Sequence, residues 1–344
     1  MLTMLTAREK LRLIQGGKSL RQLIQACPDL WQETGTAINT RLGGLGSGRN
    51  QKNNSNALNE YLQELTAKAD GWIVPLRNSG WNLGMAERAF PDLMRARLAK
   101  LAMHNYYLGS LAGKAGKIRF NWWNGSLLQR LLFRGGGFAR KPVSLFWYGL
   151  MWPLISQKKI LMRLVYQKGI YCFYSRRLIK EIKSLIGAEF RFSAETPSAL
   201  EIAAGDGTLS RFLRNRGIEI SACDDFSWDA TAQVAPADVQ KMDAIAAIKT
   251  QIPKVIICSW PPAGNTFEQA VFASPATELY IVIGSMHHFA SGNRAAYAAA
   301  VGSADRPGPF VVTVNNALAR AILPRELDNE VLIFRRRPAG TAAG

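Results

Sequence analysis

The sequence is poor in cysteine and histidine. Its 344 residues include four cysteines and three histidines. The cysteines are far apart and form no Cys-x-x-Cys pair; they are Cys27, Cys172, Cys223 and Cys258. This spacing predicts neither a disulfide framework nor a zinc site, so we expect no bound metal. A reducing, cytoplasmic location agrees best with this cysteine content.

Long hydrophobic runs are also missing. The longest uncharged run, residues 142–157, is shorter than the roughly 18–20 residues that cross a bilayer, and Gly149 and Pro153 interrupt it. The N-terminus becomes charged after seven residues, too early for the apolar core of a secretory signal. Basic residues flank 142–157, so two interpretations remain open. The run is either an apolar segment docked on the protein core or a peripheral contact with a membrane or a partner.

Acidic residues are scarce in the first half of the chain. Residues 1–165 contain 24 Lys and Arg against 8 Asp and Glu, which leaves 19 against 17 for residues 166–344. Most of the net charge of +18 therefore lies in the first half. Aromatic residues such as Trp122, Trp123 and Trp147 are interspersed with these charges, so a nucleic acid is one candidate partner.

The composition and the spacing of apolar residues divide the chain into two parts and a short tail. Residues 1–165 have apolar residues at helical spacing over 7–26 and 84–109, which predicts a helical, basic N-terminal region. Between these segments, residues 41–56 are rich in Gly, Asn and Ser and predict a flexible connection. A second domain is predicted over 166–338, followed by the tail 339–344.

In the second part, short apolar runs alternate with helical stretches. The runs predicted as strands are 198–204, 218–223, 254–259, 277–284, 310–314 and 330–334. The helices are predicted near 207–216, 265–273 and 292–300, after an amphipathic helix within 171–187 that Gly187 should end. The alternation predicts an α/β fold, a mostly parallel sheet with helices on both faces.

The stretch "LEIAAGDGTLSRF" contains the first candidate site. Glu201 lies near the end of an apolar strand, Gly205 and Gly207 form the following turn, and a helix begins after them. The next strand delivers Asp224 and Asp225 to the same edge of the sheet, where a carboxylate can accept both hydroxyls of a ribose. The third glycine of a dinucleotide fingerprint is absent, since Ser210 stands there.

This segment resembles the class I S-adenosylmethionine-dependent methyltransferases. Their first motif, Glu/Asp-x-Gly-x-Gly-x-Gly, corresponds to Glu201, Ala203, Gly205 and Gly207, with alanine in place of the first glycine. The resemblance covers about 166–338 and implies a Rossmann-like sheet that binds S-adenosylmethionine. It further implies that Asp224 holds the ribose. In "KMDAIAAI" it implies that Asp243 accepts the adenine amino group and that the backbone amide of Ala244 contacts the adenine.

Acceptor-binding residues are expected at the ends of the fourth and fifth strands. Several amino-methylating members of the family carry Asp/Asn/Ser-Pro-Pro-Tyr/Phe/Trp after the fourth strand. Here Ser259, predicted as a cofactor contact, stands one place early, Trp260 occupies the polar position and Ala263 replaces the aromatic residue. The prolines after Trp260 fix the backbone there, so we expect Trp260 and Asn265 to face the pocket.

Two adjacent histidines, His287 and His288, follow the fifth strand, and His287 is a candidate base or substrate contact. The sequence thus predicts a methyltransferase that acts on an O or N atom of a small molecule or peptide, held between the cofactor domain and the N-terminal region. The alternatives are a methyltransferase acting on RNA or DNA through residues 1–165, and a non-catalytic binding protein with the same fold.

Overall fold

The computed structural model describes residues 5–16, 20–42, 51–110, 120–166, 168–191, 196–227, 236–287, 290–303 and 305–338. The backbone forms two compact units. The first comprises Met1–Tyr107 with His287–Phe289, and the second comprises Leu108–Met286 with Ala290–Gly344.

The first unit is helical. Its helices are α1 (Ala7–Gln15), α2 (Leu20–Ala26), α3 (Pro28–Leu42), α4 (Gln51–Asn78) and the greater part of α5 (Leu83–Ser110). A capping box starts α1, in which the Thr6 hydroxyl and the Glu9 carboxylate each accept a backbone N–H of the other residue. The connection predicted at 41–56 is partly helical, because 41–42 end α3 and 51–56 begin α4. Residues 43–50 lie outside the described part of the chain.

The second unit also begins with helices. These are α6 (Trp122–Leu132), α7 (Leu145–Met151) with a 3-10 turn (Trp152–Leu154), and α8 (Lys158–Tyr166). Their buried residues form one apolar cluster with Phe173 and Leu323. The contacts therefore divide the chain near residue 107, and the boundary predicted at 165 falls inside the second unit.

The uncharged run 142–157 is docked on the core through some of its apolar residues and exposes others. Tyr148, Trp152 and Ile155 are buried, whereas other apolar residues of the run, among them Phe146 and Leu154, are exposed. Within the described residues, no helix has the length and apolar content needed to span a bilayer.

Strands and helices alternate after residue 170. The strands are β1 (Phe173–Tyr174), β2 (Ala199–Ile202), β3 (Ile220–Asp224), β4 (Gln240–Lys241), β5 (Val255–Ser259), β6 (Leu279–Ser285), β7 (Phe310–Val314), β8 (Ile322–Leu323) and β9 (Asn329–Arg336). The helices between them are α9 (Arg176–Glu189), α10 (Thr208–Arg214), α11 (Ala244–Gln251), α12 (Phe267–Ala273), α13 (Arg294–Val301) and α14 (Asn316–Ala319).

The strands form a mainly parallel sheet. Among the described residues, seven strands are arranged in the order β4-β3-β2-β5-β6-β9-β7. The five strands from β4 to β6 are parallel to one another, and β9 runs antiparallel to both β6 and β7. Strands β1 and β8 form a separate antiparallel pair. The predicted Rossmann-like α/β architecture is confirmed.

The sheet has an apolar core on each face. Along β5, Val255 and Ile257 belong to one buried cluster, and Ile256 and Cys258 belong to the other, as the two-residue period of a strand requires. A strand buried on both faces appears in the sequence as a continuous apolar run, which explains why these central strands could be predicted.

One predicted helix end is wrong. Helix α9 continues through Gly187 to Glu189, so this glycine does not end the helix. A Cβ on Gly187 would meet no other described residue within 4 Å beyond its sequence neighbours and the backbone of its own helix. The helix starts at Ser175, whose hydroxyl accepts the Leu178 N–H at 3.0 Å.

Candidate active site at the carboxyl ends of the strands

The turn between β2 and α10 has a left-handed backbone at alternate positions. The φ angles of Ala203, Gly205 and Gly207 are 49°, 56° and 66°. A Cβ on Gly207 would lie 2.5 Å from a methyl group of Val239, so glycine is required there for space as well as for conformation. Ala203 adopts the left-handed conformation despite its Cβ, at the position where the family motif has its first glycine.

Glu201 fixes this turn to the helix that follows. Its side chain is 1% exposed, and its Oε2 accepts the Ser210 N–H at 2.8 Å and a second hydrogen bond from the Ser210 hydroxyl. Burial raises the pKa of Glu201 to about 7, against the lowering effect of these two hydrogen bonds. Glu201, predicted as a cofactor contact, therefore fixes the glycine turn relative to the start of α10.

Asp224 ends β3 beside the same turn. One carboxylate oxygen accepts the Gly205 N–H at 2.8 Å and the other accepts the Phe226 N–H at 2.8 Å. Burial raises the pKa of Asp224 above its ordinary value, although both hydrogen bonds oppose the shift. The neighbouring Asp225 accepts the Ser227 N–H at 2.9 Å and belongs to a more exposed part of the loop.

Asp243 is the N-cap of α11. Its Oδ1 accepts the N–H groups of Ile245 and Ala246 at 2.9 and 3.0 Å. Helix α11 begins at Ala244, so the Ala244 backbone lies in the first helical turn. A backbone hydrogen bond from Met242 to the Asp224 carbonyl ties this loop to β3. Together, Glu201, Asp224, Asp243 and the glycine turn occupy one edge of the sheet, as the sequence predicts.

Arg140 is a site residue that the sequence does not reveal. Its Nη2 donates to Oδ1 of Asp206, between the two glycines, at 2.6 Å, and its Nη1 donates to the Cys172 carbonyl at 2.8 Å. The guanidinium is 5.2 Å from the centre of the Tyr174 ring. Arg140 is buried, and its Nε has no hydrogen-bond partner among the described residues. Because 66 positions separate Arg140 from Asp206, no local pattern could join them.

The charges of Arg140 and Asp206 stabilise each other. Burial raises the pKa of the Asp206 carboxyl, but the Arg140 charge and the Thr208 hydrogen bonds outweigh burial, so the net shift is downward. Desolvation favours the neutral form of Arg140, but the carboxylate of Asp206 and nearby groups outweigh it and raise the pKa. Asp206 in the turn therefore keeps its negative charge, and Arg140 beside it keeps its positive charge.

The corner after β5 is strained. Ser259 shares a hydrogen bond of 2.8 Å with the Tyr174 hydroxyl, and the Trp260 N–H donates to the Ile283 carbonyl of β6 at 2.6 Å. Trp260 has a φ of 60°, which is rare for a large side chain. Its ring stacks on Tyr171 at 6.3 Å between centres, and although burial raises the pKa of the Cys172 thiol, a hydrogen bond from the indole to that thiol lowers it. A strained backbone at a large aromatic residue, at the end of a parallel strand, indicates a functional position.

Asn265 is partly buried and holds the corner through hydrogen bonds within the protein. Its amide nitrogen donates to the Pro262 carbonyl at 2.8 Å and to Glu268 at 2.7 Å, and its Oδ1 accepts the Glu268 N–H. Buried Glu268 also accepts hydrogen bonds from the hydroxyls of Tyr280 and Tyr297, each at 2.6 Å. The side chain predicted to face an acceptor is thus engaged in this network.

The residues after β6 are partly described. His287 is buried, belongs by contacts to the first unit, and has its ring 5.6 Å from that of Trp31. His288 lies outside the described residues. Within the described ranges, no group of three His, Cys, Asp or Glu side chains is placed to hold a metal ion.

Comparisons with known proteins give similarities to solved structures only. No protein-family model and no curated protein matches the chain. The magnesium protoporphyrin IX methyltransferase ChlM of Synechocystis PCC 6803, with bound S-adenosylmethionine, is 12% identical at a TM-score of 0.33. The match covers 69% of this chain and 96% of that one.

Two further solved structures are similar over about half of the chain. The plantazolicin methyltransferase BpumL with S-adenosylhomocysteine is 9% identical, covering 47% of this chain and 86% of that one, at a TM-score of 0.30. The 23S rRNA methyltransferase ErmE is 15% identical, covering 49% and 71%, at a TM-score of 0.30. At these TM-scores we infer nothing from the three proteins and rest the fold on strand order and turn geometry.

A single edge of the sheet carries the glycine turn, the acidic end of β3 and the capped start of α11. Five parallel strands are followed by an antiparallel strand inserted before the last one in the sheet order. The sheet and its turns thus have a Rossmann-like α/β fold.

Proposed function

We propose that the protein is an S-adenosylmethionine-dependent methyltransferase that acts on an O or N atom of a small molecule or peptide. The observation that carries this proposal is the left-handed turn 203–207, held by Asp224 through the Gly205 N–H. A turn of small residues with two glycines at the end of a parallel strand, next to a carboxylate ending the adjacent strand, suits a nucleoside-bearing cofactor.

The residues on this edge match the parts of the cofactor. Asp224 and Asp225 would accept the ribose hydroxyls, since each carboxylate oxygen has lone pairs beyond those used by the loop N–H groups. Asp243 would accept the adenine amino group, and the Ala244 N–H would donate to the adenine ring. Ser259, held by Tyr174, would complete the site at the end of β5.

The ion pair at the turn suits the amino-acid end of the cofactor, which carries an ammonium and a carboxylate. Asp206 supplies a negative charge and Arg140 a positive charge, and the buried Nε of Arg140 is an additional donor. We therefore assign this pair to the orientation of the cofactor's methionine part.

The chain has mainly a positioning task. S-adenosylmethionine supplies a methyl group already activated on its sulfonium, so the protein must orient an acceptor in line with it. Trp260 is the residue we assign to the acceptor side, because its strained backbone holds the indole against Tyr171 at the end of β5. We keep Asn265 as an indirect contributor through the corner and His287 as a candidate base.

The proposal includes a cytoplasmic location and a small-molecule or peptide acceptor. The four cysteines are free and buried, which suits a reducing, cytoplasmic environment. Incubating the purified protein and labelled S-adenosylmethionine with cell extract would reveal the labelled acceptor by mass spectrometry. A labelled small molecule or peptide supports the proposal, labelled RNA or DNA supports the nucleic-acid alternative, and tight cofactor binding without any labelled product supports a non-catalytic protein.

Calorimetric titration tests the cofactor directly. We expect S-adenosylmethionine to bind with a Kd on the order of 1–10 μM and NAD to give no measurable heat. Asp224→Asn should weaken binding at least about tenfold, since it removes one acceptor and the charge beside the ribose. The matched control is Glu278→Gln, an exposed carboxylate just before β6 at the opposite edge, which should bind as the wild type does. Equal binding by wild type and Asp224→Asn would contradict the assignment.

A further inference from the structure

The helical start of the second unit exposes a set of large apolar side chains. We call them the aromatic face; they are Trp122, Trp123, Phe146, Trp147, Leu150 and Leu154. Trp122 is 81% exposed and Phe146 is 73% exposed, and the other four are more than half exposed. Proteins rarely leave several large apolar side chains together in water unless the surface has a partner.

The spacing places part of the aromatic face along one side of α7 and its 3-10 extension. Trp147, Leu150 and Leu154 follow one another at three- and four-residue intervals, so they share a side. The opposite side carries Tyr148 and Trp152, whose rings stack at 4.8 Å within the buried cluster. The segment is therefore anchored by one side and presents the other outward.

Hydrogen bonds bring the start of α6 next to the end of this segment. The Asn121 N–H donates to Oε1 of Gln157 at 2.8 Å, and the Asn124 side chain donates to the Ser156 hydroxyl at 3.2 Å. Trp122 and Trp123 lie between these two asparagines in sequence. The start of α6, which carries the two tryptophans, therefore lies next to the end of the segment that carries Leu154.

The stretch of sequence that carries this surface has charges of one sign, although Glu326, from the sheet part of the chain, accepts the Trp152 Nε1–H at 2.8 Å on the anchored side. Between Asp92 and Glu181 the sequence contains 17 Lys and Arg and no Asp or Glu. Lys158 follows the aromatic face directly, with its ammonium 6.0 Å from the Trp152 ring centre. Exposed Arg134 and partly exposed Lys141 lie in the loop between α6 and α7. These basic groups attract an anionic partner.

We propose that the aromatic face docks on an anionic lipid membrane, with the tryptophans and leucines entering the headgroup region and the lysines and arginines meeting lipid phosphates. Tryptophan is suited to this boundary because its ring is amphipathic. Leucine favours lipid over nucleic acid, because Leu150 and Leu154 offer no ring on which a base could stack. The helix lies on the membrane without crossing it, as one-sided burial in the protein requires.

This inference goes beyond the proposed function and does not depend on it. The docking surface uses residues other than the glycine turn and its carboxylates. Cofactor binding and membrane binding can therefore be measured separately, on the same full-length protein.

Vesicle flotation tests the docking. We expect the wild-type protein to float with phosphatidylcholine vesicles that contain phosphatidylglycerol and to stay behind with phosphatidylcholine alone. Phe146→Ser/Trp147→Ser should weaken the binding at least about tenfold, since two side chains no longer enter the interface. Lys158→Gln should weaken it about fivefold, and added salt should weaken it further.

Matched controls separate docking from misfolding. Val311→Ser/Val314→Ser replaces two other exposed apolar residues, and Lys249→Gln removes an exposed charge of the sheet region; both should float as the wild type does. Calorimetry with S-adenosylmethionine should give the wild-type result for every one of these variants. Flotation that is absent in the wild type, or unchanged in Phe146→Ser/Trp147→Ser, overturns the proposal. So does a loss of RNA binding in that variant with vesicle binding intact.

Discussion

At the scale of single residues, Glu201 is the group whose ionisation is most closely tied to the fold. Its carboxyl is 1% exposed and has a pKa of about 7, against an ordinary value of 4.5, mainly because of burial. Since the folded state holds the proton more tightly, the stabilising contribution is complete below pH 4.5 and is lost as the pH rises through 7. The shift corresponds to about 3 kcal/mol in the free energy of unfolding.

Glu201→Gln tests this linkage. Glutamine keeps the shape and an acceptor for the Ser210 N–H but cannot ionise. Between pH 4.5 and pH 8.5, we expect the wild-type free energy of unfolding to fall by about 3 kcal/mol relative to that of the variant. Urea titrations at several pH values provide the measurement. Glu278→Gln, at an exposed position, should give a curve parallel to the wild type; parallel curves for Glu201→Gln would refute the assignment.

The sequence predicts the proximity of two residues where a short stretch of chain joins them. Glu201 and Ser210 are nine positions apart, within one strand, turn and helix, so their proximity follows from the local pattern. Arg140 escaped prediction because its contact with Asp206 depends on tertiary folding. Asn265 was correctly placed after β5, but its direction could not be predicted, since its partner Glu268 lies on the following helix.

At the scale of elements, the loop between α6 and α7 is joined to the turn after β2 by the Arg140–Asp206 pair. Arg140→Met should lower the free energy of unfolding by about 1–3 kcal/mol. The reason is that Asp206 loses its ion partner, although its side chain is 31% exposed and water offsets part of the loss. The same variant should also weaken S-adenosylmethionine binding at least about tenfold, if the pair orients the cofactor.

The double variant Arg140→Met/Asp206→Asn distinguishes the two effects. Removing both charges should restore part of the stability, because no carboxylate is left without its partner. It should not restore cofactor binding. Arg177→Met, which removes an exposed ion pair with Glu181, is the control and should change neither quantity. Recovery of binding in the double variant would show that the pair acts on the fold alone.

Element length decided which strands could be predicted. Each strand predicted from the sequence has at least four residues in the structure, and their central members are apolar runs buried on both faces. Strands β1, β4 and β8 have two residues each and escaped prediction, since two residues establish no period. Longer neighbouring strands determine their pairing. Strand β4, for example, pairs in parallel with the longer β3, where Lys241 lies opposite Asp224.

At the scale of the whole molecule, the composition of the chain changes near residue 166, whereas the first compact unit ends at Tyr107. Residues 120–165 are basic like those before them, yet their apolar side chains form a cluster with Phe173 and Leu323 from the sheet part of the chain. Composition reports what faces the solvent, whereas a domain boundary depends on where buried side chains find partners. The partners of the buried side chains of 120–165 lie far along the chain, so composition could not reveal them.

Two fragments test where the folding unit begins. Residues 108–344 should unfold cooperatively on heating, because they include the clusters on both faces of the sheet and the cluster formed by α6 to α8. Residues 166–344 should aggregate or lose cooperativity, since Phe173 and Leu323 are 0% exposed and would lose most of that third cluster. Exposing two such side chains costs about 3–6 kcal/mol, a large part of the stability of a domain. Circular dichroism during heating gives the transitions, and equal melting temperatures for the two fragments would place the boundary at residue 166 after all.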